Sequence, residues 1–185
     1  MPNAATLTGA ELVPLVQSGA NVKATLSTLT TFTYGANASF ADYTNQTIAS
    51  ANTPAIVTFS TTDWATNVTL ASNSRITVAN AGKYNFQFSI QFECSEVQLQ
   101  DTYVWLRKNG TDIGGSAGLV SIPNKHGGIN GHAIVGWNFF LNLAANDYIQ
   151  LVWTAQNTAV SIATYATGAS WPSTASVVMT VNQVA

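Results

Sequence analysis

The chain has 185 residues, 46% of them hydrophobic and only 8% charged, with a formal net charge of −2. An ordinary soluble domain carries roughly 25% charged residues, so most of the polar surface here must be Thr, Asn, Ser and Gln. That balance excludes a disordered chain, which would lack aromatics. It also excludes a long coiled coil, which needs flanking Glu and Lys, and a nucleic-acid binder, which needs a basic stripe.

Residues 1–31 contain Leu7, Leu12, Val13, Leu15, Val16 and Leu26 but no aromatic. Pro14 and Gly19 would each break a helix. The segment reads as an extended N-terminal arm with one or two short strands and a helical turn near 25–30. Its first residues have neither a basic nor an apolar signal region, so no secretory signal is expected. No run of apolar residues is long enough to span a membrane. Residues 32–53, rich in Thr, Asn, Ala and Ser, read as a linker or an irregular first strand.

From residue 54 to 185 the strand signal strengthens. Ile56, Val57 and Phe59 suggest a short strand, and Asp63-Trp64 reads as loop. Arg75 to Val78 alternates and ends at the turn Asn80-Ala81-Gly82. Tyr84, Phe86, Phe88, Ile90, Phe92 and Cys94 then share one parity, with Asn85, Gln87, Ser89, Gln91 and Glu93 on the other. Period two over eleven residues means a strand with one buried and one wet face. Cys94, the only cysteine, is expected to be a buried thiol.

Tyr103 to Arg107 forms the next strand. Asn109-Gly110 follows it with the composition of a type I′ hairpin turn. Residues 114–131 hold six glycines, Pro123 and His126, and read as a long loop or broken edge strand. Trp137 to Leu143, Ile149 to Ala155, Val160 to Ile162 and Val177 to Val181 supply further strands. Trp171-Pro172 marks the loop before the last of them. No segment has a 3.6-residue period. The expected fold is all-β: a sandwich of about eight to ten antiparallel strands.

Two stretches resemble known families. Ala81-Gly82-Lys83-Tyr84-Asn85-Phe86, then Trp105-Leu106-Arg107-Lys108-Asn109-Gly110, then Leu141-Asn142-Leu143, Asn146-Asp147 and Ile149-Gln150-Leu151 resemble the jelly-roll head of the complement/tumour-necrosis-factor-like superfamily. The resemblance covers residues 55–185 and departs at Asn146, where Gly is common. It implies a jelly-roll β-sandwich and a homotrimer. Leu7 to Gly19, followed by Lys23-Ala24-Thr25-Leu26, resembles a segment recurrent in bacteriophage tail-fibre and head-accessory proteins.

Together these resemblances imply a phage virion protein made in the host cytoplasm and carried on the outside of the particle. Residues 32–53 leave no room for a fibre shaft, so a capsid decoration (cement) protein bound to the major capsid protein is expected. Leu7, Leu12, Val13, Leu15, Val16 and Leu26 would form the attachment arm. The alternative is the tip of a tail fibre, joined to tail or baseplate proteins and reading a host glycan.

Catalysis, a cofactor and a metal are not expected. His126 and His132 lie six positions apart among glycines, which is not a zinc spacing. No nucleophile elbow or phosphate loop occurs. The residues offered as exposed binding loops are His126, His132 and Trp171. Asp112 and Asp147 read as turn-forming residues.

Overall fold

A computed structural model of the chain describes residues 8–26 and 35–185. Two compact units divide at Gly35/Ala36. Among the described residues no helix is long and apolar enough to cross a membrane.

The described part of the first unit is a hairpin of β1 (Leu12–Gln17) and β2 (Ala20–Thr25), paired from Leu12↔Thr25 to Gln17↔Ala20. Its loop is Ser18-Gly19, with φ of 51° and 79°. Positive φ at both central positions is what a two-residue type I′ turn requires, and its twist matches the strands. The arm therefore folds back on itself at Gly19 instead of running on as one extended segment. Just before β1, the Glu11 carboxylate accepts the backbone N–H groups of Thr8 at 2.7 Å and Gly9 at 2.8 Å, and the Thr8 hydroxyl at 2.9 Å. Those bonds favour the ionised form and lower the Glu11 pKa to about 2, the Thr8 N–H having the largest effect. Leu7 and most of the helical turn expected over 25–30 lie outside the described residues.

The second unit, Ala36–Ala185, is an all-β sandwich. In one sheet β10 (Gln100–Lys108) and β14 (Tyr148–Ala155) lie at the centre. On the far edge of β10 are β11 (Thr111–Asp112) and β12 (Gly118–Ile122). On the far edge of β14 are β5 (Ala55–Ile56) and β8 (Arg75–Val78), with β7 (Val68–Ala71) beyond β8.

The second sheet is built on β9 (Gly82–Cys94). β13 (Gly131–Leu143) pairs along its whole length on one side. On the other side lie β16 (Val177–Gln183) and β15 (Val160–Ile162). β3 (Asn37–Asp42) and β4 (Gln46–Thr47) follow, and β6 (Thr61–Thr66) closes the far edge beyond β3. All of these pairings are antiparallel. Several segments share one line within a sheet, which accounts for more pieces than the eight to ten strands expected.

The alternation read in residues 84–94 faces the core as expected. Phe86, Ile90 and Cys94 are fully buried, and Phe92 meets Trp153 of β14 across the sandwich at 5.6 Å between ring centroids. Phe40, Met179 and Leu151 complete the apolar layer between the sheets. Burying a side chain of this size is worth about 1.5–3 kcal/mol, so the register of β9 is strongly held.

The segment 32–53 supplies β3 and β4. Asp63-Trp64, expected in a loop, lies in β6. The register of β6 on β3 slips between Ser39 and Phe40, where Asp63 is the extra residue. The bulge breaks the alternation by which the strand would have been recognised. Asp63 accepts the Ser39 hydroxyl at 2.8 Å, which holds the bulge.

The motifs Lys108-Asn109-Gly110 and Asn146-Asp147 meet in space. Asn109 (φ 50°) and Gly110 (φ 84°) form the type I′ turn expected of them. Asn146 also has positive φ, 69°. Asn enters this region more readily than most residues.

Candidate binding site

At one end of the second sheet, β9 and the start of β13 lie beside the loop between β15 and β16. A cleft of about 490 Å³ opens there, within the range of small-ligand pockets. The residues that matter in it are Gln91, His132, Ile134, Tyr165, Trp171 and Thr174. Gln91 and His132 point to the outer face, because their strand neighbours Phe92 and Cys94 are core residues.

Behind the cleft runs a hydrogen-bonded chain. Asn130 Nδ2 donates to Glu93 Oε1 at 2.7 Å, and the Tyr165 hydroxyl donates to Glu93 Oε2 at 2.5 Å. His132 Nδ1 lies 3.0 Å from the same hydroxyl and 4.0 Å from the carboxylate. The phenol has one proton, which goes to Glu93, so its oxygen accepts from His132 Nδ1–H. In the neutral imidazole that arrangement leaves His132 Nε2 as an acceptor. Burial, and then the Glu93 carboxylate, push the Tyr165 pKa well above its usual range, so the phenol stays protonated. The His132 and Tyr165 rings meet edge to face with centroids 5.6 Å apart.

Trp171 is held from its own loop. Gly168 N–H donates to the Trp171 carbonyl at 3.0 Å, and a Cβ on Gly168 would come within 2.2 Å of the indole. The ring therefore lies close on bare backbone while remaining 59% exposed. Thr174 bonds the backbone of Tyr165 at 3.0 Å, and Gln91 Nε2 bonds the Ala175 carbonyl. The loop is thus tied within itself at Thr174 and orients the Gln91 side chain of β9.

No protein-family model matches the chain, and no curated protein matches it.

Of the three residues expected in exposed binding loops, the structure brings His132 and Trp171 into one cleft, although His132 sits on a strand. His126 does not join them. It closes a tight turn with Ile129, each N–H donating to the other's carbonyl at 2.9 Å, around Gly127 and Gly128 at positive φ. The two histidines therefore share no site. Among the described residues no cluster of three or more His, Cys, Asp or Glu side chains could hold a metal ion.

Sequence reading missed Gln91, Glu93 and Tyr165 as partners. Glu93 and Tyr165 are 72 positions apart, and only the register of β9 and the path of the loop bring them together. Asp147 does form its turn, accepting Ala144 N–H at 2.8 Å. Asp112 instead bonds within its hairpin, to Trp105 Nε1 at 2.8 Å and Arg107 Nε at 2.7 Å.

The outer face of this sheet is the other notable surface. Ile134 and Phe140 on β13 are 72% and 65% exposed, and Trp64 of β6 lies uncovered on the same side. Between them stand Gln87, Ser89 and Thr180. Neither β13 nor β16 carries an Asp, Glu, Lys or Arg. Among the described residues no strand pairs with the free edge of β13.

Proposed function

We propose that the chain is a structural protein of a bacteriophage particle: a trimeric capsid decoration protein that clamps the major capsid protein through its N-terminal unit. The observation that carries this reading is β13. It is a thirteen-residue edge strand without Asp, Glu, Lys, Arg or proline, and among the described residues no strand pairs with its free edge. Isolated proteins blunt such edges with charges, prolines or bulges, because bare edges template association. An uncharged edge beside exposed Ile134 and Phe140 suits a surface that copies of the chain cover for one another.

Two further features support the reading. The strands run β3-β16-β9-β13 in one sheet and β8-β14-β10 with β11 and β12 in the other. That interleaving of sequence-distant strands is what the resemblance to a trimeric jelly-roll head would require. In the first unit, Leu12 and Val16 of β1 are exposed and uncharged, which suits them to a partner's surface.

Sedimentation of the full chain tests the self-association. The wild type should run as a trimer, and Phe140→Asp with Ile134→Asp should run as a monomer. A monomeric wild type removes the proposal. Deleting residues 1–31 should leave the trimer intact and abolish binding to capsids.

The cleft favours a second reading, a tail-fibre tip that recognises a host-surface glycan. Copy number in purified particles separates the two. A decoration protein scales with capsomers, and a fibre tip scales with tails.

A further inference from the structure

We infer that the cleft between β13 and the 163–176 loop is a subsite for one uncharged sugar ring. This deepens the second reading by naming the ligand's chemistry, and it rests on the cleft alone, wherever on a particle the chain sits.

The ligand class follows from what the cleft presents. His132 Nδ1 is committed to Tyr165, which in the neutral imidazole leaves Nε2 as an acceptor. One N–H of Gln91 Nε2 is given to the Ala175 carbonyl, which fixes the amide and leaves Oε1 as an acceptor and the second N–H as a donor. An acceptor at neutral His132 Nε2 and an acceptor-donor pair on Gln91 call for a ligand that can both donate and accept, and hydroxyl groups do both. No Lys or Arg lines the cleft, and the Glu93 carboxylate lies behind it. An anionic ligand would find no Lys or Arg there and would meet the negative Glu93 carboxylate behind the cleft.

The Trp171 indole, closely backed by Gly168, offers a flat apolar platform at the rim. An indole packs well against the C–H face of a ring through dispersion and its own quadrupole. A molecule with one apolar face, a rim of hydroxyl groups and no charge is a neutral pyranose. Because Gly168, Thr174 and Ala175 hold these groups in place, little ordering is needed on binding.

The test uses the full chain labelled with ¹⁵N and reads the indole N–H resonances of its five tryptophans, with Trp171→Phe assigning the relevant one. The probes are the methyl glycosides of glucose, galactose, mannose and N-acetylglucosamine, taken to tens of millimolar, with N-acetylneuraminic acid as the anionic counterpart. At least one neutral glycoside should shift the Trp171 resonance saturably while the other four stay still. Gln91→Ala should weaken that response roughly tenfold, the loss of one hydrogen bond to a fixed acceptor.

The proposal is overturned if no neutral glycoside moves Trp171, or if N-acetylneuraminic acid binds as well as the neutral sugars. It is also overturned if Trp171→Ala breaks the oligomer, because the cleft would then seat a second copy of the chain. Sedimentation of the same samples reports the trimer separately, so failure of the sugar and failure of the assembly are distinguishable.

Discussion

Asn109 and Asp147 are 38 positions apart, yet the Asn109 amide donates to the Asp147 carboxylate at 2.6 Å. Lys108 Nζ reaches the other carboxylate oxygen at 2.6 Å, and Asn109 Oδ1 in turn accepts Tyr148 N–H at 2.9 Å. One carboxylate thereby ties the β10–β11 hairpin to the turn before β14. The Lys108 and Asn109 bonds, the Lys108 one foremost, lower the Asp147 pKa from 3.8 to about 2. Asp147→Ala should cost about 1–2 kcal/mol, the net worth of these bonds. That is a fall in Tm of roughly 2–4 °C per kcal/mol for a chain of this size. The contribution is complete above pH 3.8 and disappears as the pH falls through about 2. The Tm difference between wild type and variant should therefore close in strong acid.

Asn146 next door gives a conformational control. At φ 69° an alanine is strained, so Asn146→Ala should lose roughly 1 kcal/mol. Asn146→Gly should stay within a few tenths. Denaturant midpoints of the two variants check this, and equal losses would contradict the assignment of the turn.

Trp153 fills the space between the sheets against Phe92. Trp153→Ala should destabilise by about 3–5 kcal/mol through lost burial and the cavity left behind. Urea unfolding measures it, and a loss below about 1 kcal/mol would mean that the sheets close over the gap.

Gly118 of β12 lies directly under the Trp137 ring of β13, and a Cβ there would come within 1.7 Å of it. Trp137 is 43% exposed, so an added methyl should push the ring toward solvent. Gly118→Ala should therefore shift tryptophan emission to the red at a stability cost of about 1–3 kcal/mol. An unchanged emission spectrum would show that the ring does not rest on that glycine.

In the first unit, the Thr8 and Gly9 amide resonances should titrate with the Glu11 pKa of about 2, well under its usual 4.5. The loop that Glu11 ties is intact above 4.5 and comes apart as the pH falls through the lower value. Glu11→Gln should remove the titration from both amides.

The sandwich was legible wherever a pattern was local. Residues 84–94 announced a half-buried strand through uninterrupted alternation, and Asn109-Gly110 announced its turn through residue chemistry. Where a bulge intervened, as at Asp63, the pattern broke and the strand read as loop. The cleft was legible only in part. Trp171 stood out because it stands beside Pro172 in a loop, but its meeting with His132 depends on strand register. Glu93 read as one more polar residue on a wet face. Its role emerges only when Tyr165, far along the chain, comes to rest beside it.

The outer face of the second sheet bears on how an assembly would respond to its surroundings. Its charged side chains, Lys83, Glu93 and Asp63, lie off its centre, which Gln87, Ser89 and Thr180 occupy between exposed apolar groups. Dissolved salt at 0.1 M largely screens exposed charges more than about 10 Å apart, but it has little hold on neutral amides, hydroxyls and hydrocarbon. Copies joined through this face would keep their grip from fresh water to brine.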